Sequence, residues 1–98
     1  MRFDLEFPIE WCGSLVRAVV VRPPTVDDIE TAAPGFIASG APYPHDPADA
    51  ALRLLAVITD LPMELIDELD ILDFEALCRE VMMAGAEVVK RERARAHE

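Results

Sequence analysis

Residues 61–77 read LPMELIDELDILDFEAL, a segment in which six acidic residues are distributed among apolar ones. Pro62 is suited to the first turn of a helix, where its missing N–H costs no hydrogen bond. The apolar residues that follow recur at helical spacing and would share one face: Leu65, Ile66 and Leu69. The segment therefore predicts a short helix over residues 62–69, with its acidic side chains turned toward water.

A second helix is predicted to begin directly after the first. Asp70 has the side chain of an N-cap, and Asp73 would then lie at the third helical position, near the positive end of the helix dipole. Residues of one face then recur at alternating spacings of three and four: Ile71, Phe74, Cys78, Val81, Gly85 and Val88. The pattern predicts an amphipathic helix over residues 71–90, followed by a basic tail over 91–98 that frays from its end.

The acidic cluster does not have the pattern of a metal or catalytic site. EF-hand Ca²⁺ loops need alternating oxygen ligands and a glycine at the bend, but this segment has apolar residues at ligand positions and no glycine. Carboxylate di-iron sites need Glu-x-x-His pairs, which neither His45 nor His97 provides. Cys78 lies in an apolar stripe, and Cys12 has no histidine near it in the sequence. We expect no catalytic residue, no metal site in the acidic cluster and no cofactor. The two cysteines are expected to be buried, reduced thiols, with a disulfide or a metal pair as the alternative.

The first part of the chain predicts a β-hairpin over residues 3–22. Apolar residues alternate with polar ones along its first strand, as in a strand with one buried face: Phe3, Leu5, Phe7, Ile9 and Trp11. Gly13 suits a tight turn, and the β-branched residues of LVRAVVVR at 15–22 are typical of a returning strand. Pro23 and Pro24 end that strand, because neither has an N–H to donate to a neighbour.

The remaining helices are predicted between the hairpin and the acidic segment. Thr25 and Asp28 have the spacing of a capping box at the start of a helix over 26–33. Residues 34–47 contain four of the eight prolines and predict a long loop. A helix over 48–59, apolar on nearly every side, is expected at the centre of the core. The predicted fold is α+β: an N-terminal β-hairpin followed by a bundle of three to four α-helices, in a single domain of 98 residues.

Composition and charge limit the classes of function. The chain is 52% hydrophobic, which predicts a folded protein, but no stretch approaches the roughly 20 uncharged apolar residues that a membrane span needs. Its net charge is −10, and residues 1–88 hold 17 acidic against 5 basic residues. An acidic protein repels nucleic-acid phosphates, so direct nucleic-acid binding is not expected. The N-terminus has acidic residues where a signal peptide would be basic, which favours a cytoplasmic protein.

Three segments together resemble a known family. VVRPPTVDDI at 20–29 leads into the first predicted helix, AVITDLP at 56–62 ends the long apolar one, and LIDELDILDFEALCREV at 65–81 spans the two-helix corner. Their order and spacing over residues 3–83 resemble the tail assembly chaperones of long-tailed phages, in particular the Mu-like and P2-like group. Asp60 stands where that pattern has glycine or a small polar residue, and the basic end of this chain extends beyond the pattern.

The resemblance implies a role in phage tail morphogenesis. Such proteins are similar to scaffolds that coat the long, helical, aggregation-prone tape measure protein, recruit tail tube subunits and leave before the virion is complete. The implied partners are the tape measure protein and the tail tube protein, and a homo-oligomer is left open. The net charge would keep such a protein in solution. The candidate partner-binding residues are all apolar: Leu65, Ile66, Leu69, Met82 and Met83.

Other classes of function are left open by the residues themselves. A small acidic protein can also be a regulator or inhibitor that binds a basic protein partner, as DNA mimics and antitoxins do. A small enzyme is the third class, but the sequence has no nucleophile, metal or phosphate motif to support it. Ordinary core packing competes with partner binding as the interpretation of Met82 and Met83.

Overall fold

The computed structural model describes residues 1–96 and has α+β architecture. Within this range a two-stranded antiparallel hairpin is followed by five helices, which confirms the predicted fold class. The elements in order are β1 (Arg2–Trp11), β2 (Ser14–Val20), α1 (Val26–Ala32), α2 (Phe36–Ser39), α3 (Pro47–Thr59), α4 (Met63–Asp67) and α5 (Ile71–Arg95). None of these helices is long and apolar enough to cross a bilayer.

A large bulge interrupts the hairpin in β1. Pairing of the two strands breaks after Asp4 and resumes at Ile9, and over this interval β1 contains three more residues than β2. Pro8 lies in the bulge and has no N–H to offer the ladder. Phe7 is 43% exposed, whereas Leu5 and Ile9 are buried. The predicted single buried face is therefore wrong at Phe7, because the extra residues change the phase of the strand.

The hairpin turn is formed by Cys12 and Gly13. Both residues have positive φ, at 50° and 80°, as both central positions of a type I′ turn require. Cys12 is exposed, so the expectation of a buried thiol is wrong for this residue, which sits at the tip of the hairpin. Cys78 is half-buried, and both cysteines are free.

α1 begins with the predicted capping box. The Thr25 hydroxyl accepts a hydrogen bond from the Asp28 N–H, and the Asp28 carboxylate accepts one from the Thr25 N–H at 2.8 Å. The sequence predicts a continuous loop over residues 34–47, but the structure has the four-residue helix α2 within it. Gly35 has a φ of 76°, which lets the chain turn back, and the side chain of Phe36 then packs against the core.

The core joins α3 and α5 to the hairpin and α1. Its most completely buried side chains come from α3 and α5: Leu55, Ile58, Leu77 and Val81. On α5, Ile71 is 62% exposed, so its predicted place in the buried stripe is wrong. Val81, Gly85 and Val88 of that stripe are buried as predicted, and the other buried positions of α5 are Asp73, Leu77 and Val89. The face shifts because Asp73, at the first turn, bonds inward to β1.

The two helices of the acidic corner differ in length from the predicted ones. α4 has five residues, Met63–Asp67, and is shorter than the predicted 62–69. Asp70 is the N-cap of α5, and its carboxylate accepts from the Leu72 N–H at 3.0 Å. α5 continues to Arg95, past the predicted end at residue 90, and Arg93 in this last part of the helix bonds to α2. The last two residues of the predicted frayed tail, which include His97, lie outside the described residues.

Candidate partner-binding groove

An apolar groove lies between α5 and the chain segment formed by α1, α2 and the loop that follows them. It encloses about 580 Å³, and two of the described residues that line it are charged. Its lining includes Phe36 of α2, Tyr43 of the loop, Leu54 of α3, and Met82, Gly85 and Arg93 of α5. We call this depression the α5 groove.

Gly85 brings α5 close to α3 and α1 within the α5 groove. It is buried, and a Cβ at this position would lie 3.0 Å from Leu54 Cδ2 and 3.4 Å from Ile29 Cδ1. The optimal separation of two carbon atoms is about 3.5–4.0 Å, so a side chain here would press on Leu54. Gly85 therefore sets the distance between the helices that form the groove.

Flexible and aromatic side chains stand exposed around the α5 groove. Met82 is 37% exposed and Met83 62% exposed, and Tyr43 is 72% exposed. An unbranched thioether side chain adapts to irregular apolar surfaces. Large apolar side chains that are exposed together along a depression are typical of an interaction surface.

One end of the α5 groove is basic. Arg93 donates from Nη2 to the Phe36 carbonyl at 2.7 Å and from Nε to the Ile37 carbonyl at 3.0 Å. The Arg93 guanidinium also lies 4.7 Å from the centroid of the Phe36 ring, in the range of a cation–π contact. These contacts hold α2 against α5. Lys90, the second charged residue of the lining, is exposed and forms no salt bridge within residues 1–96.

A second groove adjoins the first along the same helix. It encloses about 590 Å³ and lies between α5 and the segment that follows β2. Its lining contains charges of both signs, contributed by Arg22, Glu80, Glu87 and Arg91. Met83 and Ala86 line both grooves and therefore form the boundary between them.

Comparison with known proteins gives the family. A family model described as phage tail assembly chaperone proteins, E, or 41 or 14, matches residues 2–83. The chain belongs to this family of tail assembly chaperones. The match confirms the resemblance found in the sequence motifs, and a family of chaperones is not a class of enzymes. A search of curated proteins and a search of solved structures each found no match.

Two of the five candidate partner-binding residues line the α5 groove of the chaperone. These are Met82 and Met83, which are neighbours on α5 and fall inside the family match. Leu65 and Ile66 are 4% and 3% exposed and belong to the core, and Leu69 packs against that core. Helical periodicity at residues 65–69 therefore marks a face that is covered within the chaperone itself.

The sequence prediction does not include the other walls of the chaperone's groove. Phe36 and Tyr43 come from the segment predicted as a loop, and Arg93 comes from the predicted frayed tail. The hydrogen bond from Arg93 to Phe36 spans 57 residues, a separation at which sequence periodicity carries no information. The available signal is compositional, because large apolar side chains within a proline- and glycine-rich segment are unusual for a simple linker.

The chaperone uses two acidic side chains to join its elements. Asp73, only 4% exposed, accepts from the backbone N–H groups of Glu6 at 3.0 Å and Phe7 at 2.9 Å. Asp28 accepts from both Nη atoms of Arg22, at 2.6 and 2.9 Å, and these bonds hold the pKa of Asp28 well below its ordinary value. No group of three potential metal-ligating side chains occurs in the part of the chain that the structure describes. The two hydrogen bonds of Asp73 show that it joins α5 to β1, in addition to the predicted favourable interaction with the helix dipole.

Proposed function

We propose that this chaperone binds the tape measure protein in the α5 groove and helps recruit tail tube subunits during tail morphogenesis. The single observation that carries the proposal is the apolar groove on whose lining Met82 and Met83 are exposed, within a member of this family. We further propose that this takes place in the cytoplasm of the host bacterium and that the chaperone is absent from the mature virion.

The chemistry of the groove suits a helical client with an exposed apolar stripe. Removing apolar surface from water contributes about 25 cal/mol per Å², so an apolar groove favours apolar faces of many sequences. The two methionines add adaptability, since their side chains can assume different shapes against different turns of a long client. The net charge of −10 opposes aggregation of loaded chaperones by mutual repulsion.

We propose that the chaperone acts by binding and not by catalysis. Burial raises the pKa of the Cys78 thiol, which disfavours the nucleophilic thiolate. Cys12 lies exposed at a hairpin turn, and His45 lies in the loop before α3. Neither Cys12 nor His45 lines the α5 groove.

Co-expression with the tape measure protein tests the proposed function. We expect the chaperone to co-purify with the tape measure protein and to increase its soluble fraction. Replacing Met82 and Met83 together by glutamate should abolish both effects, because two carboxylates would then line the apolar groove. The matched control replaces Ile71 and Leu72 by glutamate, since they are also adjacent on α5 and are 62% and 55% exposed but do not line the groove.

The outcomes separate this function from its alternative. Unchanged solubility of the tape measure protein and no co-purification would show that the proposal is wrong. Equal loss in the two double variants would show that the α5 groove is not the binding site. Retention of a basic protein partner that is lost at high salt and insensitive to the methionine substitutions would indicate an acidic regulator or inhibitor instead.

A further inference from the structure

We propose that the α5 groove takes one amphipathic α-helix whose apolar face ends in a carboxylate, and that this carboxylate is directed at Lys90. The proposal rests on the function proposed above and specifies the chemistry of the partner segment. Three observations carry it: the composition of the groove walls, the contacts that occupy Arg93, and the exposure of Lys90.

The walls of the groove favour a helix over an extended peptide. They are formed by helices and by a loop that contains Pro42 and Pro44, and neither strand of the hairpin contributes to them. A peptide that binds as an added β-strand needs a strand edge for its backbone N–H and C=O groups, and prolines supply no donors. A helix satisfies its own backbone groups and needs only apolar contact, which is what this groove provides.

The charge of the groove is polarised. Among residues 1–96, its only charged lining residues are Lys90 and Arg93, both near the C-terminal end of α5. The guanidinium of Arg93 is already engaged by the Phe36 and Ile37 carbonyls and by the Phe36 ring. Lys90 is thus the lining cation that is free to meet an incoming group, since it forms no salt bridge within residues 1–96.

Charge complementarity follows from this arrangement. An exposed lysine beside an apolar groove is best matched by a partner that packs apolar side chains against the uncharged lining and places an anion next to the lysine. A partner with a lysine or arginine at that end would meet a like charge, which is unfavourable. A single charge at one end therefore selects both the sequence and the direction of the bound helix.

Two synthetic peptides test the inference. Each is an amphipathic helix of about five turns with the same apolar face. One has a glutamate beyond the end of that face, and the other has a glutamine there. We expect the glutamate peptide to bind the chaperone about two- to fivefold more tightly at low salt, as measured by fluorescence anisotropy. The difference should disappear at high salt because an exposed ion pair is screened.

Variants of the chaperone identify the residue responsible. Lys90→Gln should remove the preference for the glutamate peptide, and Lys90→Glu should reverse it in favour of a peptide with lysine at the same position. Arg91→Gln is the matched control, because Arg91 is the next residue of α5, is exposed, and lines only the second groove. We expect this control to keep the full preference.

Several outcomes would overturn the inference. Equal affinity for the two peptides, or an equal effect of Lys90→Gln and Arg91→Gln, would show that Lys90 does not select the partner. Self-association of the chaperone that competes with the peptides and is abolished by Met83→Glu would place a second copy of the chain in the groove. If the tape measure protein co-purifies but neither peptide binds, the inference fails while the proposed function stands. If the glutamate peptide binds with the expected preference but the tape measure protein does not, the proposed function fails while the chemistry assigned to the groove stands.

Discussion

The carboxylate of Asp73 accepts a hydrogen bond from the backbone N–H of Phe7 at 2.9 Å, across 66 residues of sequence. The same carboxylate accepts from the N–H of Glu6 at 3.0 Å. Both donors lie in the bulge of β1, where pairing with β2 is interrupted. Asp73 thus replaces the partners that the bulge removes from the hairpin, and it fixes the first turn of α5 to the sheet.

Asp73→Asn should destabilise the protein by about 1–3 kcal/mol, because an amide cannot present two acceptor oxygens to two N–H donors. The measurement is urea unfolding followed by circular dichroism. Glu75→Gln is the control, since Glu75 is an exposed acidic residue two positions further along the same helix. A loss of stability that is the same in both variants would contradict the role assigned to Asp73.

The ion pair of Asp28 with Arg22 should make stability depend on pH. The pKa of Asp28 lies far below its ordinary value of 3.8, first because Arg22 bonds to the carboxylate and also because Thr25 does, against the opposing effect of burial. A carboxyl whose pKa is lowered by folding contributes its full stabilisation above its unfolded pKa and loses it as the pH falls toward its folded pKa.

We therefore expect Asp28→Asn to be about 2 kcal/mol less stable than the wild type at pH 7. The gap should begin to close as the pH falls below about 4, since the unfolded carboxyl titrates there. Denaturant unfolding at a series of pH values measures the gap. Asp27→Asn, an exposed neighbour in the same helical turn, should change stability by only a few tenths of a kcal/mol. A gap for Asp28→Asn that stayed constant down to pH 2 would disagree with this account.

Gly85→Ala should destabilise the protein by about 1 kcal/mol although alanine is the better helix former. Its Cβ would lie 3.0 Å from Leu54 Cδ2, and overpacking of this kind costs about 1–3 kcal/mol against a propensity gain of about 1 kcal/mol. A double-mutant cycle with Leu54→Ala tests the cause, because the two changes should partly compensate each other. Additive effects would rule out contact between these two side chains as the explanation.

Arg93→Ala should loosen α2 and open the basic end of the α5 groove. It removes two hydrogen bonds to the Phe36 and Ile37 carbonyls and the contact with the Phe36 ring, with a cost of about 1–2 kcal/mol. Hydrogen exchange of the Phe36 and Ser39 amides, which bond to Ala33 and Gly35, should become faster. Arg95→Ala is the control, since Arg95 is exposed and its salt bridge within the described part of the chain is with Glu92, at 3.4 Å. Unchanged exchange in Arg93→Ala would show that α2 is held by other contacts.

The fold class and the helix starts could be predicted because they depend on neighbouring residues. The capping box of Thr25 with Asp28 and the N-cap at Asp70 act within one turn of helix, so their spacing in the sequence is sufficient. The bulge in β1 could also have been predicted from the sequence, since proline is rare in the interior of a paired strand and Pro8 lies within β1.

The rest of the site depends on contacts between distant residues. Periodicity identifies an apolar face at residues 65–69, but it does not show whether other parts of the chain cover that face. In this protein the core covers it. Met82 and Met83 were candidates for partner binding in competition with ordinary core packing, and their neighbours in the groove were not among the candidates. Arg93 bonds to Phe36 of α2, which is more than half of the chain away in sequence. Only the folded structure shows that the C-terminal turn of α5 supports this wall of the groove.

The shared position of Met83 has a mechanical consequence. Its side chain lines both the α5 groove and the charged groove beside it, yet at any instant it occupies a single rotamer. A ligand that draws the thioether into one groove withdraws it from the other and changes the depth of both. We therefore expect a ligand bound on one side of α5 to affect binding on the other side through the rotamer of Met83.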